Sequence, residues 1–243
     1  MTSIDCRAFQ ESALQATIFT PDLDHSTGKV MSGFYPQCVD IFDADPEVLP
    51  NMPGLPPEVP RIIMRKKDNS LRLEVSAARI NFFGGLISGQ TQPLDIKKFY
   101  SEAVRLFSIF QQTTGCRIAR IAAVRTLFIV HENPGLFLAR HFCKDTWNQV
   151  PLNRPENFEL HSHKVYQLNE KFKVNSWARN KTGFLVKDNK RARIVLVEQD
   201  MNTVAEELEK RAYDSDEVNS YFDLVIPEFA DILCQYYPTN NGD

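Results

Sequence analysis

The sequence predicts an α+β fold, mostly antiparallel sheet backed by helices. Three observations lead there. β-rich runs are joined by short turn-forming segments, as in hairpins. Two long stretches, 94–113 and 216–236, carry apolar residues at three-and-four spacing, the signature of helices with one buried face. No regular alternation of strand and helix marks parallel βαβ units, so the sheet is expected to be antiparallel: two helix-backed sheets, or one large sheet with its helices on one side.

In chain order, residues 14–20 (LQATIFT) read as a first strand and 21–60 as irregular. Six prolines fall between Pro46 and Pro60, which bars a helix and favours an extended covering loop. RIIMRKK and LRLEVSAARINFF flank Asp68-Asn69-Ser70, a turn between β-rich runs, and so predict a hairpin. Within the second run Leu71, Leu73, Val75 and Ala77 share one parity while Ile80 and Phe82 take the other. A bulge or bend near Ala78 would reconcile them.

Ile96, Phe99, Tyr100, Ala103, Leu106, Phe107 and Phe110 form the stripe of the first long helix, and Gly115 stands at its C-terminal cap position. RIARIAAVRTLFIV (117–130) reads as a strand, with helix as the alternative for its first half. A short helix over 134–142 follows Asn133-Pro134. Residues 157–168, 171–186 and 191–201 read as three strands, the last two joined by 187–190. The final helix is lined by Val218, Tyr221, Phe222, Val225, Phe229, Ile232 and Leu233, and Pro227 is expected to kink or split it.

Each half therefore repeats strands, a hairpin and a helix, and LRLEVSAARINFF answers RARIVLVEQDMNT. The division is residues 1–145, with the Pro-rich loop at 46–60, residues 146–238, and a disordered tail at 239–243. One continuous domain is the alternative.

Composition bounds the function. Of 243 residues, 43% are hydrophobic and 24% charged, an ordinary globular mix, and the net charge is -3. That balance argues against a chain coated with basic residues for nucleic acid or anionic lipid, though not against a local basic groove. The five cysteines are odd in number and share no CxxC spacing, which reads as reduced thiols. Residues 1–15 lack a basic segment followed by an apolar one, and no stretch is apolar enough to span a bilayer. A cytoplasmic, non-membrane protein is expected.

Three stretches carry a family resemblance: Pro60-Arg61 with the hairpin that follows, the helix before RIARIAAVRTLFIV, and RARIVLVEQDMNT with its terminal helix. Together they resemble a sporadically distributed, uncharacterised prokaryotic family of hypothetical proteins. Ala122 or Ala123 stands where its members commonly have Gly, and the Pro-Ile-Val-Glu opening that many members show is absent. The resemblance implies an α+β fold and accessory genes of mobile elements or antiviral defence. It implies no chemistry.

Candidate sites are few. Glu159, His161 and His163 alternate along one strand face, where two imidazoles and a carboxylate suit a first-row metal, although a solvated polar face has the same pattern. Glu198 and Asp200 share a face, with Lys187, Lys190, Arg191 and Arg193 just before them. Arg61, Arg65, Lys66 and Lys67 on one segment and Arg117, Arg120 and Arg125 on another form a basic stripe if the strands are neighbours. Trp177 and Arg179 would add stacking, the combination that single-stranded nucleic acid requires. Gly84–Gly89 is Gly-rich but has neither P-loop nor dinucleotide spacing. No nucleophile sits in a recognisable setting, so no catalytic residue and no cofactor are assigned. The sequence-based expectation is a non-catalytic binding or accessory subunit of a multi-protein system, its partner another protein of that system. The alternatives are a nucleic-acid-binding module and a metal-dependent hydrolase or nuclease.

Overall fold

The computed structural model describes residues 4–21, 26–50, 54–85, 94–187 and 190–239. Residues 86–89 of the Gly-rich loop, 51–53 of the Pro-rich stretch, 188–189 of the last turn and 240–243 of the tail lie outside these.

Among the described residues, nine antiparallel strands form one sheet: β1 (Gln10–Phe19), β2 (Glu47–Val48), β3 (Ile62–Arg65), β4 (Leu71–Val75), β5 (Arg79–Gly85), β6 (Arg120–Val130), β7 (Glu159–Leu168), β8 (Phe172–Lys187) and β9 (Lys190–Thr203). Their order across the sheet is β2-β3-β4-β5-β1-β6-β9-β8-β7. The helices are α1 (Thr27–Lys29), α2 (Ile96–Thr114), α3 (Pro134–Phe142), α4 (Asp145–Gln149) and α5 (Ser215–Tyr236). The topology repeats. β1, β3, β4, β5 and α2 in the first half are answered by β6, β7, β8, β9 and α5 in the second, in mirrored order about the central β1–β6 pair. In that correspondence β5 answers β9 and β4 answers β8. The matched sequence run 71–83 therefore spans two strands, and only its second half aligns with β9.

The run 71–83 is not one bent strand. The chain reverses at Ser76-Ala77-Ala78, and β4 pairs with β5 through Val75↔Ile80. Ser76 closes this turn. Its backbone N–H donates to the Arg79 carbonyl at 2.9 Å, and its Oγ accepts from the Arg79 N–H at 3.1 Å. The parity switch thus marks a hairpin, and both apolar sets reach the same face.

That face holds the core. Leu14, Ala16, Ile18, Leu73, Val75, Ile80, Phe82, Ile121, Ala123 and Met201 pack against Phe99, Tyr100, Leu106 and Phe107 of α2 and Tyr221, Phe222 and Phe229 of α5. Phe82 of β5 stacks on Phe99 of α2 at 4.7 Å, which ties α2 to the sheet, and Tyr100 of α2 stacks on Phe222 of α5 at 4.8 Å, which ties the two helices together. Burying each such ring contributes about 1.5–3 kcal/mol. A second cluster joins Leu127, Val195 and Val197 to Phe137 and Leu138 of α3 and to Leu233 and Tyr237.

Helix ends follow local chemistry. The Asp95 carboxylate caps α2, and Gly115 ends it at φ 73°, a left-handed conformation that glycine adopts without a Cβ clash. Asp214 and Glu217 form a capping box on α5. That helix runs unbroken through Pro227, so the expected split does not occur. Among the described residues, no helix is long and apolar enough to cross a membrane.

The cysteines correct the sequence reading. Cys6 and Cys234 form a disulfide across a separation of 228 residues. The fold brings them together because the N-terminal segment docks on the end of α5, where the Cys6 N–H donates to the Tyr237 carbonyl at 2.9 Å. Spacing along the chain holds no trace of such a pair. Cys38, Cys116 and Cys143 take no part in this disulfide.

Candidate functional site

Alternation along each strand sends every second side chain to the face away from the helices. No residue of that opposite parity in the sheet belongs to either core cluster. The pairing registers align these residues in rows that cross the sheet. One row runs Arg65, Arg72, Phe83, Gln15, Val124, Asp200, Trp177, His163 from β3 to β7. With strands about 4.8 Å apart, it spans about 34 Å. A second row runs Ile63, Glu74, Asn81, Thr17, Ala122, Asn202, Asn175, Val165, and a third runs Gly85, Ala13, Thr126, Glu198, Arg179, His161.

Polar groups on this face are tied to one another. Arg179 donates to Glu198 at 2.6 Å and lies 3.6 Å from Asp200, while Lys181 sits 3.5 Å from Glu198. The Arg179 guanidinium lies 5.1 Å from the centroid of the Trp177 ring, whose plane is stacked on His163 at 4.2 Å. His163 reaches Asn175 at 3.2 Å, and Asn175 donates to Asn202 at 3.4 Å. Asn202 donates in turn to Asp200 at 2.9 Å. Arg120 donates to the Thr203 carbonyl at 2.8 Å and to the Asn202 side chain, with its guanidinium over Phe19 at 4.7 Å. Burial holds the Arg120 pKa below its usual value. These contacts make the β6–β9–β8–β7 side of the face one connected network.

The other side is built alike. Arg72 lies over the Phe83 ring at 4.6 Å and pairs with Glu74 at 3.1 Å. Gln15 donates to Thr17 at 3.0 Å, and Thr17 to Asn81 at 2.9 Å. A depression of about 360 Å³ lies here, lined by Gln15, Arg65, Arg72, Phe83, Val124 and Thr126. The face thus carries a guanidinium–aromatic pair near each end.

The sequence-predicted basic residues divide. Arg65, Arg120, Trp177 and Arg179 share the open face. Arg125 points to the helix side, where its Nε donates to Glu11 at 2.8 Å in a largely buried ion pair. Arg117 holds the carbonyls of Leu208 and Arg211 at 2.9 and 2.7 Å, fixing the loop before α5. Arg61 precedes β3, Lys66 pairs with Asp68 at the hairpin turn, and Lys67 is exposed beside it. Glu159 and His161 meet at 3.3 Å, whereas His163 is engaged with Trp177. Among the described residues, no group of three His, Cys, Asp or Glu side chains is placed to hold a metal ion. Arg72, Phe83, Gln15, Asn175 and Asn202 were not singled out from sequence. With the turn placed at 76–78, strand parity puts Arg72 and Phe83 on the open face.

No family model and no curated protein matches the chain. Among solved structures it is similar to "Methanococcus jannaschii TBP", with 10% identity over 90% of this chain and 98% of that one, at a TM-score of 0.27. A likeness of that strength says nothing about function.

Proposed function

We propose that the chain is a binding subunit, an accessory component of a multi-protein system, which docks a partner protein on the open face of its sheet. The observation that carries this reading is the row from Arg65 and Arg72 over Phe83 to Trp177 and His163. It sets aromatic and guanidinium groups at both ends of a broad surface. Trp, Tyr, Phe and Arg are the residue types that anchor protein interfaces, and a preorganised polar network costs less side-chain entropy on docking. The guanidinium groups of Arg179, Arg120 and Arg72 are already matched by Glu198, Asp200, Asn202 and Glu74. Paired in this way they suit recognition of a complementary polar surface better than general acid–base work, which needs a proton donor or acceptor free to exchange.

Affinity purification of the tagged chain from its native host tests this, with nuclease-treated and untreated arms. The expected result is a stoichiometric protein that survives nuclease and is lost with Trp177→Ala. A partner retained equally by Trp177→Ala and Phe83→Ala, with the variants folded, contradicts the reading.

A further inference from the structure

The β8–β9 hairpin extends beyond the rest of the sheet. β6 stops pairing with β9 at Val130↔Ile194, and β7 stops pairing with β8 at Glu159↔Lys181. Past Gly183↔Ile194 the two strands continue through Phe184↔Arg193, Leu185↔Ala192, Val186↔Arg191 and Lys187↔Lys190. The result is a projecting two-stranded ribbon. One of its faces pairs an apolar strand with a basic one, Phe184 and Val186 beside Arg193 and Arg191. Phe184 is 48% and Val186 69% exposed. The Arg191 guanidinium lies over the Phe184 ring at 3.4 Å. Lys190, Arg191 and Arg193 are all exposed, and no described carboxylate forms an ion pair with them.

Charge is concentrated here against the trend of the chain. Residues 184–193 hold Lys187, Lys190, Arg191 and Arg193 against the single acid Asp188, whereas the whole chain carries -3. Arg191 and Arg193 alternate on one strand face, about 6.7 Å apart. We propose that the ribbon of residues 184–187 and 190–193 is an arm for double-stranded nucleic acid, with Arg191 and Arg193 on backbone phosphates and the Arg191–Phe184 stack against the groove. A two-stranded antiparallel ribbon has the width that the major groove of a duplex admits. The exposed cations supply phosphate contacts that are independent of sequence. An anionic bilayer fits less well, because Phe184 lies beneath a guanidinium and Val186 alone offers little apolar area for insertion. The ribbon's Arg-bearing face has the parity of the helix side, so it is separate from the open face proposed for a protein partner.

Fluorescence anisotropy with the full chain and a labelled DNA duplex of arbitrary sequence tests the arm. With about three phosphates neutralised, affinity is expected to fall about 40-fold between about 50 and about 200 mM salt. Arg191→Ala/Arg193→Ala should weaken binding more than tenfold at low salt and reduce the slope of log affinity against log salt by about 1.8. Trp177→Ala should leave duplex binding unchanged, which separates this proposal from the open-face reading. Vesicles containing phosphatidylserine form a parallel arm. Absence of duplex binding at low salt, equal binding by the double variant, or binding to the vesicles without binding to the duplex would each overturn the proposal.

Discussion

Reducing the Cys6–Cys234 bond should remove a large part of the protein's stability. The bond joins the first described segment to the end of α5, so nearly the whole chain lies inside the loop it closes, a separation of 228 residues. Cross-linking a loop of that length withdraws about 5 kcal/mol of chain entropy from the unfolded state. The docked junction retains other contacts after reduction: the Cys6–Tyr237 backbone hydrogen bond, and Phe9 against Tyr237 at 4.6 Å. The folded state therefore changes little, and the effect acts mainly on the unfolded chain. Domains of this size lose about 2–4 °C of melting temperature per kcal/mol, so a drop of about 10–20 °C is expected. The assays are thermal and urea unfolding of the oxidised protein, the protein in reductant, and Cys6→Ser/Cys234→Ser. The reduced protein and the double variant should unfold together, well below the oxidised form, and with a steeper denaturant dependence, because the unfolded chain without the cross-link is more expanded. Identical midpoints for all three, with Cys6 and Cys234 both open to alkylation in the untreated folded protein, would refute the reasoning.

Three further outcomes follow from packing and charge. Gly135→Ala should destabilise the fold by about 1–3 kcal/mol or more, because a Cβ there meets the Glu156 carbonyl oxygen at 2.6 Å and the Pro155 oxygen more closely still; chemical denaturation reads the loss. Arg125→Met should cost about 3–5 kcal/mol by leaving the Glu11 carboxylate buried alone, and Glu11→Leu added to it should recover most of that; a double-mutant cycle checks the recovery. Cys38 is fully buried, and burial raises its thiol pKa to about 12. It should therefore resist alkylation at about pH 8 until the protein unfolds. Since the folded value is the raised one, the stability it contributes is complete below the ordinary value of 9.0 and is lost as pH rises towards about 12.

What the sequence reveals depends on the range of the interaction that decides each feature. The apolar stripe of α2, its Gly115 cap and the inner face of α5 are set by residues three and four apart, and periodicity finds them. The 71–85 hairpin is harder, because a parity switch is produced equally by a bulge and by a full reversal. The hydrogen bonds of Ser76 that decide between them are invisible in composition. Arg125 resembles a surface base until register is known. A β-bulge between Glu11 and Ala13 shifts Glu11 to the helix side, where it meets Arg125 from the neighbouring strand. The disulfide and the open-face rows lie at the far end of this range. Cys6 meets Cys234, and Arg72 shares a row with Trp177, only through the order and register of strands distant in sequence. Trp177 and Arg179 are legible as a basic-aromatic pair because they sit two apart on one strand, whereas Phe83 with Arg72 requires β4 and β5 to be paired first.

The central claim, that the open face of the sheet receives a partner protein, is tested most directly by site-specific photocrosslinking in the native host. A photoreactive phenylalanine is placed at Trp177, at Phe83, or at exposed Asp231 on α5 as a control for the helix layer. The account predicts the same partner protein cross-linked from positions 177 and 83 and none from 231. Cross-links from 231 alone, or to nothing from either sheet position while the partner still copurifies, would place the interface elsewhere and contradict the account.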